Sequence, residues 1–329
     1  MNIREAKEKY KELFEGIGDA TIKKLEDQGL SSLEDLLAVD PAELAKLLGS
    51  TVYKAKKIIG AAREALVRSE VLVETADVVE QFITSNVKRI STGSKSLDRI
   101  LGGGVPTRSI TTLVGQHATG KSQICYQLAA NVVDSGEYVG WVETEAGTFS
   151  PSRIREICAG RNLSYDPRKL LVIRAENITD PAKQLLAYEA IWKKAVKESL
   201  PLRLLVVDSF NARIRAAYAG REMLSARSQE TARHIGLLEI IAAERNCAIV
   251  LTSQVIGLPD VKLQFEAEKR YGVPLKPYGG EYFLHSSTYI LFLWQKSSEV
   301  WEATVVDAPD LPRKSATFKI TSKGIEDEE

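Results

Sequence analysis

The sequence predicts an α/β core with a mostly parallel sheet, preceded by a small all-helical domain. Three observations carry that expectation. From Ile90 onward, short β-branched, apolar runs alternate with stretches of helical period, the pattern of a parallel sheet wrapped by helices. The run Ser109-Ile110-Thr111-Thr112-Leu113-Val114 reads as a buried strand. It passes through a glycine-bearing turn into residues 123–132, where Ile124, Cys125, Leu128, Ala129 and Val132 recur at helical spacing. Residues 1–70, by contrast, read as small and helical. A chain of 329 residues, 44% hydrophobic and 27% charged, suits one or two globular domains.

Taken in order, residues 15–30 combine a Gly-Ile-Gly turn with an amphipathic helix and a stop at Gly29. A turn of this kind, through Gly16 and Gly18, exposes backbone N–H groups at a helix start, where a DNA phosphate can sit. Packing or partner docking explains it equally well. Residues 48–59 are a weaker second copy. Residues 71–88 read as a linker, with scattered apolar residues and no strong period. The core then spans residues 89–329, with candidate strands at 109–114, 138–142, 203–208, 247–253, 288–294, 300–305 and 316–321. The early strands alternate with helices; the late ones are closely spaced and suggest an antiparallel edge.

The turn after the first strand is Gly115-Gln116-His117-Ala118-Thr119-Gly120-Lys121-Ser122, the G-x-x-x-x-G-K-S pattern of a phosphate-binding P-loop. Its N–H groups, with those of Gln123 at the start of the following helix, would point at the phosphates. Lys121 would neutralise β/γ-phosphate charge, and the Ser122 hydroxyl would ligate Mg²⁺. An ordinary glycine turn would not account for the adjacent Lys and Ser. ATP and Mg²⁺ are therefore the expected cofactors.

Two further strands end in suitable chemistry. Arg203-Leu204-Leu205-Val206-Val207-Asp208 delivers one carboxylate at the tip of an apolar run, the Walker B arrangement, with Asp208 as the metal-holding residue. Strand C-terminal ends converge in open α/β sheets, so Asp208 and the P-loop are expected to meet. Trp141-Val142-Glu143-Thr144-Glu145 places two carboxylates at i, i+2. One of them would be the general base on the attacking water, and Glu145 is preferred. The fourth strand, read as an edge strand, ends at Gln254, an amide able to sense a γ-phosphate. Between residues 255 and 279 lies a polar stretch carrying Lys262, Lys269, Arg270 and Lys276, expected as a long loop without structure of its own and hence functional. Four arginines, Arg213, Arg215, Arg221 and Arg227, cluster beside Gly220, a cationic loop suited to the backbone of single-stranded DNA.

Composition excludes some alternatives. No apolar run approaches a membrane span, and residues 1–14 are charged rather than signal-like. Cys125, Cys158 and Cys247 lie in apolar segments without metal-ligand spacing, as buried reduced thiols do. With zero formal net charge, nucleic-acid binding would have to rest on local basic loops.

P-loop, Glu-bearing second strand, Walker B and terminal Gln, in that order, resemble the RecA-like P-loop ATPase core. Finer matches resemble the RadA branch of that superfamily, the archaeal strand-exchange recombinases and their eukaryotic relatives. Arg89-Ile90-Ser91-Thr92-Gly93 through Gly102-Gly103-Gly104 resembles the start of that family's core. Residues 213–227 resemble its first DNA loop, and Pro277-Tyr278-Gly279-Gly280 with His285 the end of its second. Asp307-Ala308-Pro309-Asp310-Leu311-Pro312 resembles the cap that covers ATP on a neighbouring subunit. The helix-hairpin-helix N-domain matches as well. The resemblance implies that Lys121, Glu145 and Gln254 are catalytic and that Arg153 stacks on adenine. Asp307 and Pro309 would contact nucleotide, and Lys269, Arg270, Gly279 and Gly280 would join the arginines at DNA. Implied partners are single- and double-stranded DNA and further copies of the chain in a homo-oligomer or filament. The implied location is cytoplasmic and nucleoid-associated, with no membrane.

The chain also departs from the family pattern. Val73-Glu74-Thr75-Ala76 stands where members carry a subunit-linking F-x-x-A, so a large aromatic anchor is lost. Glu143-Thr144-Glu145-Ala146-Gly147-Thr148-Phe149 is one residue longer than the usual motif, Gln116-His117 replaces Glu and an aromatic, and Ser253 replaces Asn. These changes fit two readings. One is a divergent recombinase; the other is a RadA paralog that mediates recombination, binding ATP and DNA without catalysing strand exchange.

Overall fold

The computed structural model describes residues 1–70, 74–220, 222–258, 260–271, 274–278 and 280–328. The chain divides into two compact units, Met1–Phe82 and Ile83–Glu329.

Among the described residues the first unit holds five whole helices, Ile3–Lys9, Asp19–Asp27, Leu33–Ala38, Pro41–Leu48 and Val52–Glu70. Local chemistry sets their ends. Ser32 and Asp35 form a reciprocal capping box. Asp40 caps the next helix, with Pro41 at its first position, and Gly49 closes it in the left-handed region. Ile3, Phe14, Ile22, Leu25, Leu36, Leu44 and Ile58 pack into one core. Within the segment expected as a linker, residues 76–86 form the helix Ala76–Asn86. Its apolar residues Val78, Val79, Phe82 and Ile83 recur at i, i+1, i+4 and i+5, a helical spacing that a reading of scattered hydrophobes passed over.

The second unit is built on a nine-stranded sheet. Its strands are β1 Ile110–Gly115, β2 Tyr138–Glu143, β3 Leu170–Ile173, β4 Leu202–Asp208, β5 Ala248–Ser253, β6 Tyr289–Gln295, β7 Trp301–Asp307, β8 Ser315–Thr321 and β9 Gly324–Asp327. Their spatial order is β9-β8-β7-β6-β1-β5-β4-β2-β3. The six strands from β6 to β3 are parallel. The three late strands add an antiparallel edge, as their close spacing predicts.

β1 and β5 are buried along their whole length, which explains why neither alternates apolar with charged residues. Successive residues still face opposite ways. Leu113, Leu204, Val206 and Val250 join one core, with Ile124 and Leu128 of helix Lys121–Asp134. Val114, Leu205, Val207 and Ile249 join the other, with Ile191 of helix Pro181–Lys197 and Leu238 of helix Leu224–Arg245. β5 lies between β1 and β4 and is an interior strand, not the edge strand expected. A second correction concerns residues 255–279. They hold a two-stranded antiparallel ribbon, Val255–Gly257 with Leu275–Pro277, and the helix Val261–Tyr271 between its strands. Among the described residues no helix is long and apolar enough to cross a membrane.

Candidate nucleotide site and DNA loops

Chain order leaves β1 flanked by β5 and β6, while the next strand in sequence, β2, lies three places away, beyond β5 and β4. Loops leaving the C-terminal ends of such a sheet diverge there and open a crevice. β1 releases the glycine loop into it. A Cβ at Gly115 would lie 2.5 Å from both the Leu293 carbonyl oxygen and the Thr119 hydroxyl, so only glycine fits. Gly120 caps helix Lys121–Asp134 at φ +91°. The Lys121 ammonium donates to the carbonyls of Gly115 at 2.9 Å and Gln116 at 2.5 Å, and the Thr119 hydroxyl donates to Gln116 at 2.9 Å. Burial lowers the Lys121 pKa, opposed by the nearby Asp208 charge.

One cavity is walled by the loop from His117 to Gln123 and by Glu145, Asp208, Thr252 and Gln254. The sequence predicts this convergence. Asp208, at the tip of β4, accepts from the Ser122 hydroxyl at 2.7 Å and from the Thr252 hydroxyl. Burial pushes the Asp208 carboxyl up, against these two hydrogen bonds and the charge of Lys121. A hydroxyl and a carboxylate held side by side form an oxygen pair suited to a hard divalent cation. Among the described residues no cluster of three or more His, Cys, Asp or Glu side chains forms a metal site. A cation here would therefore need oxygens from water and phosphate, as Mg²⁺ ordinarily takes.

The two carboxylates after β2 separate cleanly. Glu143 is buried and accepts N–H groups of Gly147 at 2.8 Å, Phe149 at 3.2 Å and Ala175 at 3.3 Å; it builds the turn. Glu145 is half-buried and faces the cavity, and among the described residues its carboxylate accepts only the Ser209 hydroxyl, at 3.3 Å. The turn from Glu143 to Phe149 is stitched to its neighbours. Thr144 Oγ1 donates to the Ser209 carbonyl at 2.6 Å, Thr148 Oγ1 to the Asp208 carbonyl at 3.0 Å, and Tyr126 Oη to the Thr148 carbonyl at 2.7 Å.

Other expected residues lie elsewhere. Arg153 is tied to Gln123 Oε1 at 2.9 Å, to Glu156 at 2.6 Å, and to the Thr321 and Ser322 carbonyls; it touches the cavity wall through Gln123 and does not itself line the cavity. Asp307 and Pro309 are not brought to the chain's own phosphate site. Trp301, at the start of β7, contacts Ala118, but Asp307, at its end, pairs with Ile290 at the opposite end of the sheet. Any nucleotide they meet would belong to another copy. Arg213 lies on helix Ala212–Ala217 and reaches the Ala175 carbonyl at 3.4 Å. Arg215 and Arg227 both lie against the ring of Tyr278. Lys269 is exposed, and Gly280 opens the helix Gly280–His285. Arg221, Gly279 and Val73, and the side chain of Arg270, fall outside the described residues. In the first unit Gly16 takes φ +79° and Gly18 caps Asp19–Asp27 without a side-chain bond, the turn geometry expected there.

Sequence reasoning missed Thr252, Trp301 and Asn211, and placed Tyr278 in the second-loop motif without a role of its own. Of the three, only Thr252, one residue before the expected strand end and two before Gln254, carried a usable signal.

A glycine loop at the C-terminal end of a central parallel strand, with Asp208, Glu145 and Gln254 around it, defines a P-loop nucleotide-binding protein of the RecA-like class. Residues 83–328 match the Rad51 family model, and residues 14–64 match a SAM-like helix-hairpin-helix tandem. The chain belongs to the Rad51 family. It is 36% identical to the DNA repair and recombination protein RadA of Aeropyrum pernix, over 95% of each chain. The RadA of Metallosphaera sedula is 35% identical over 95% of this chain and 94% of that one. That of Cenarchaeum symbiosum is 32% identical over 96% and 78%.

Proposed function

We propose that this chain is a DNA-dependent ATPase of recombinational DNA repair that binds single-stranded DNA and promotes homologous pairing and strand exchange. The observation that carries the reading is the meeting of Lys121, Ser122, Asp208, Glu145 and Gln254 around one cavity, with Gln254 at the root of the ribbon that leads into the second basic segment. Near-complete alignment with relatives named as DNA repair and recombination proteins supports recombination as the process. The same coverage favours a recombinase over a mediator.

In this reading the loop from Gly115 to Gln123 binds the triphosphate of ATP through backbone N–H groups, and Lys121 neutralises its β/γ oxygens. Ser122 and Asp208 would hold Mg²⁺, which supplies further neutralisation of phosphate charge. Glu145 takes a proton from the water that attacks the γ-phosphorus in line with the leaving oxygen. Gln254 donates to the γ-phosphate and passes its presence to the ribbon of residues 255–278, which grips DNA until hydrolysis. Arg213, Arg215, Arg221, Arg227, Lys269 and Arg270 would contact the DNA backbone, and Gly16 and Gly18 of the first unit a duplex phosphate. Asp307 and Pro309 would cap the nucleotide of a neighbouring copy, making assembly part of the active form. The domain limits 1–70, 71–88 and 89–329 belong to the same proposal.

Strand exchange by the pure protein tests it, with ATP and Mg²⁺ and a Lys121→Ala control. Exchange by the wild type, absent in the control, is the expected result. ATP and DNA binding without exchange would overturn this function and leave the mediator.

A further inference from the structure

Two of the first-loop arginines, Arg215 and Arg227, share one aromatic ring. The Arg215 guanidinium lies 5.1 Å and that of Arg227 5.6 Å from the centre of the Tyr278 ring. Arg227 Nη1 also donates to Tyr278 Oη at 3.1 Å. A guanidinium over a phenol face draws on the ring's quadrupole, and the same cation is what a phosphodiester needs. Ring and phosphate therefore compete for it.

The backbone of the same tyrosine belongs to the phosphate end of the sheet. Its N–H donates to the Gln254 carbonyl at 2.9 Å. Its own carbonyl accepts from Ser253 Oγ and Asn211 Nδ2, both at 3.2 Å, and Asn211 Nδ2 also donates to Ser253 Oγ at 2.9 Å. Ser253 and Asn211 are buried. They fasten Tyr278 to the tips of β5 and of the segment after β4, beside Asp208 and Gln254. One residue thus has its backbone bonded to Gln254 of the cavity wall and its ring on Arg215 and Arg227. Tyr278 is half-buried and Arg215 is exposed, so the ring can leave without opening the core.

We propose that Tyr278 is a positioning residue, a latch that holds Arg215 and Arg227 and releases them to the phosphates of single-stranded nucleic acid when nucleotide engages Gln254. The proposal rests on the nucleotide and DNA reading above. A shift of Gln254 toward a γ-phosphate moves the bonded Tyr278 N–H and withdraws the ring from both guanidinium groups. Affinity for single strands is then low without nucleotide and high with it, and part of that ratio is set by the ring.

The test is fluorescence anisotropy with a labelled oligo-dT strand, with and without a non-hydrolysable ATP analogue, for wild type, Tyr278→Ala and Tyr278→Phe. Tyr278→Ala is expected to bind DNA about tenfold tighter than wild type without nucleotide and to lose most of the nucleotide-dependent gain. Tyr278→Phe keeps the ring and is expected to stay within about threefold of wild type. A ring that only fills space would give weaker binding on removal, never tighter. An unchanged affinity ratio in Tyr278→Ala overturns the latch and leaves the DNA reading intact. A Tyr278→Ala variant that binds more weakly in both conditions overturns the latch as well. A wild type that binds no single strand in either condition removes the DNA reading and the latch together.

Discussion

The indole N–H of Trp301 donates to the carbonyl of Ala118 at 3.2 Å, fixing the crest of the glycine loop from a strand 183 positions away in sequence. Ala118 sits at φ +63°, a conformation that costs a non-glycine residue energy and needs external support. The ring is held in turn by stacking on Phe318, centroids 6.4 Å apart. Trp301→Phe keeps the stack and removes the donor. ATP affinity, titrated with a fluorescent analogue, is expected to fall about three- to tenfold, with the melting curve almost unmoved. Unchanged affinity would mean that the loop holds its shape unaided.

Glu143 and Glu145 give a matched pair for the catalytic assignment. Glu145→Gln leaves the turn intact and is expected to slow phosphate release by roughly 10²–10⁴, with nucleotide affinity within a few-fold of wild type. Glu143→Gln replaces an acceptor of three backbone N–H groups by an amide. It is expected to cost about 1–3 kcal/mol of stability and to lower binding and hydrolysis together. The reverse pattern would move the general base to Glu143.

What could be read from the sequence follows from how local each signal is. The glycine loop, Asp208 and Glu145 sit at strand ends, where a few contiguous residues carry both geometry and chemistry. Position in the sheet is a different kind of fact. The apolar run of β5 is what an interior strand requires, yet nothing in it says which neighbours it has. β3 has four residues, all half-buried, and gave too little period to find. Helix Val261–Tyr271 exposes Val261, Leu263 and Phe265 and buries Ala267 and Tyr271, so its apolar residues do not form the single stripe that marks a helix. Trp301 on Ala118, and Tyr278 on Arg215 and Arg227, are pairings across the fold that no window of sequence contains.

Thr252 offers a test of the cation site. Its hydroxyl donates to Asp208 Oδ1, and Ser122 donates to Oδ2. Thr252→Val keeps the shape and removes one of the two hydroxyls, so the buried carboxylate loses part of what offsets its burial. The Mg²⁺ concentration for half-maximal hydrolysis is expected to rise about three- to tenfold, with maximal rate largely recovered at saturating Mg²⁺. A Mg²⁺ titration of phosphate release measures it. A lowered maximum with an unmoved midpoint would place Asp208 outside the cation site.

Asp327 should make the C-terminal strand acid-sensitive. Its carboxylate accepts from Ser94 Oγ at 2.6 Å, from Ser96 Oγ at 2.7 Å, and from the N–H groups of Ser96 at 2.9 Å and Lys95 at 3.2 Å. These bonds join β9 to the start of helix Lys95–Ile100. Burial pushes the carboxyl up, but the hydrogen bonds outweigh it and hold the pKa at about 2, against an ordinary 3.8. The folded state therefore favours the ionised form. Its stabilising contribution, on the order of 1–2 kcal/mol, is complete above about pH 4 and is lost as pH falls toward 2. Asp327→Asn should destabilise the protein by that amount near neutral pH, with the deficit shrinking below pH 4 as the wild-type group takes up its proton. Urea denaturation of both proteins at pH 7 and near pH 3 reads the difference directly. An equal deficit at both would assign the residue's contribution to packing rather than to its charge.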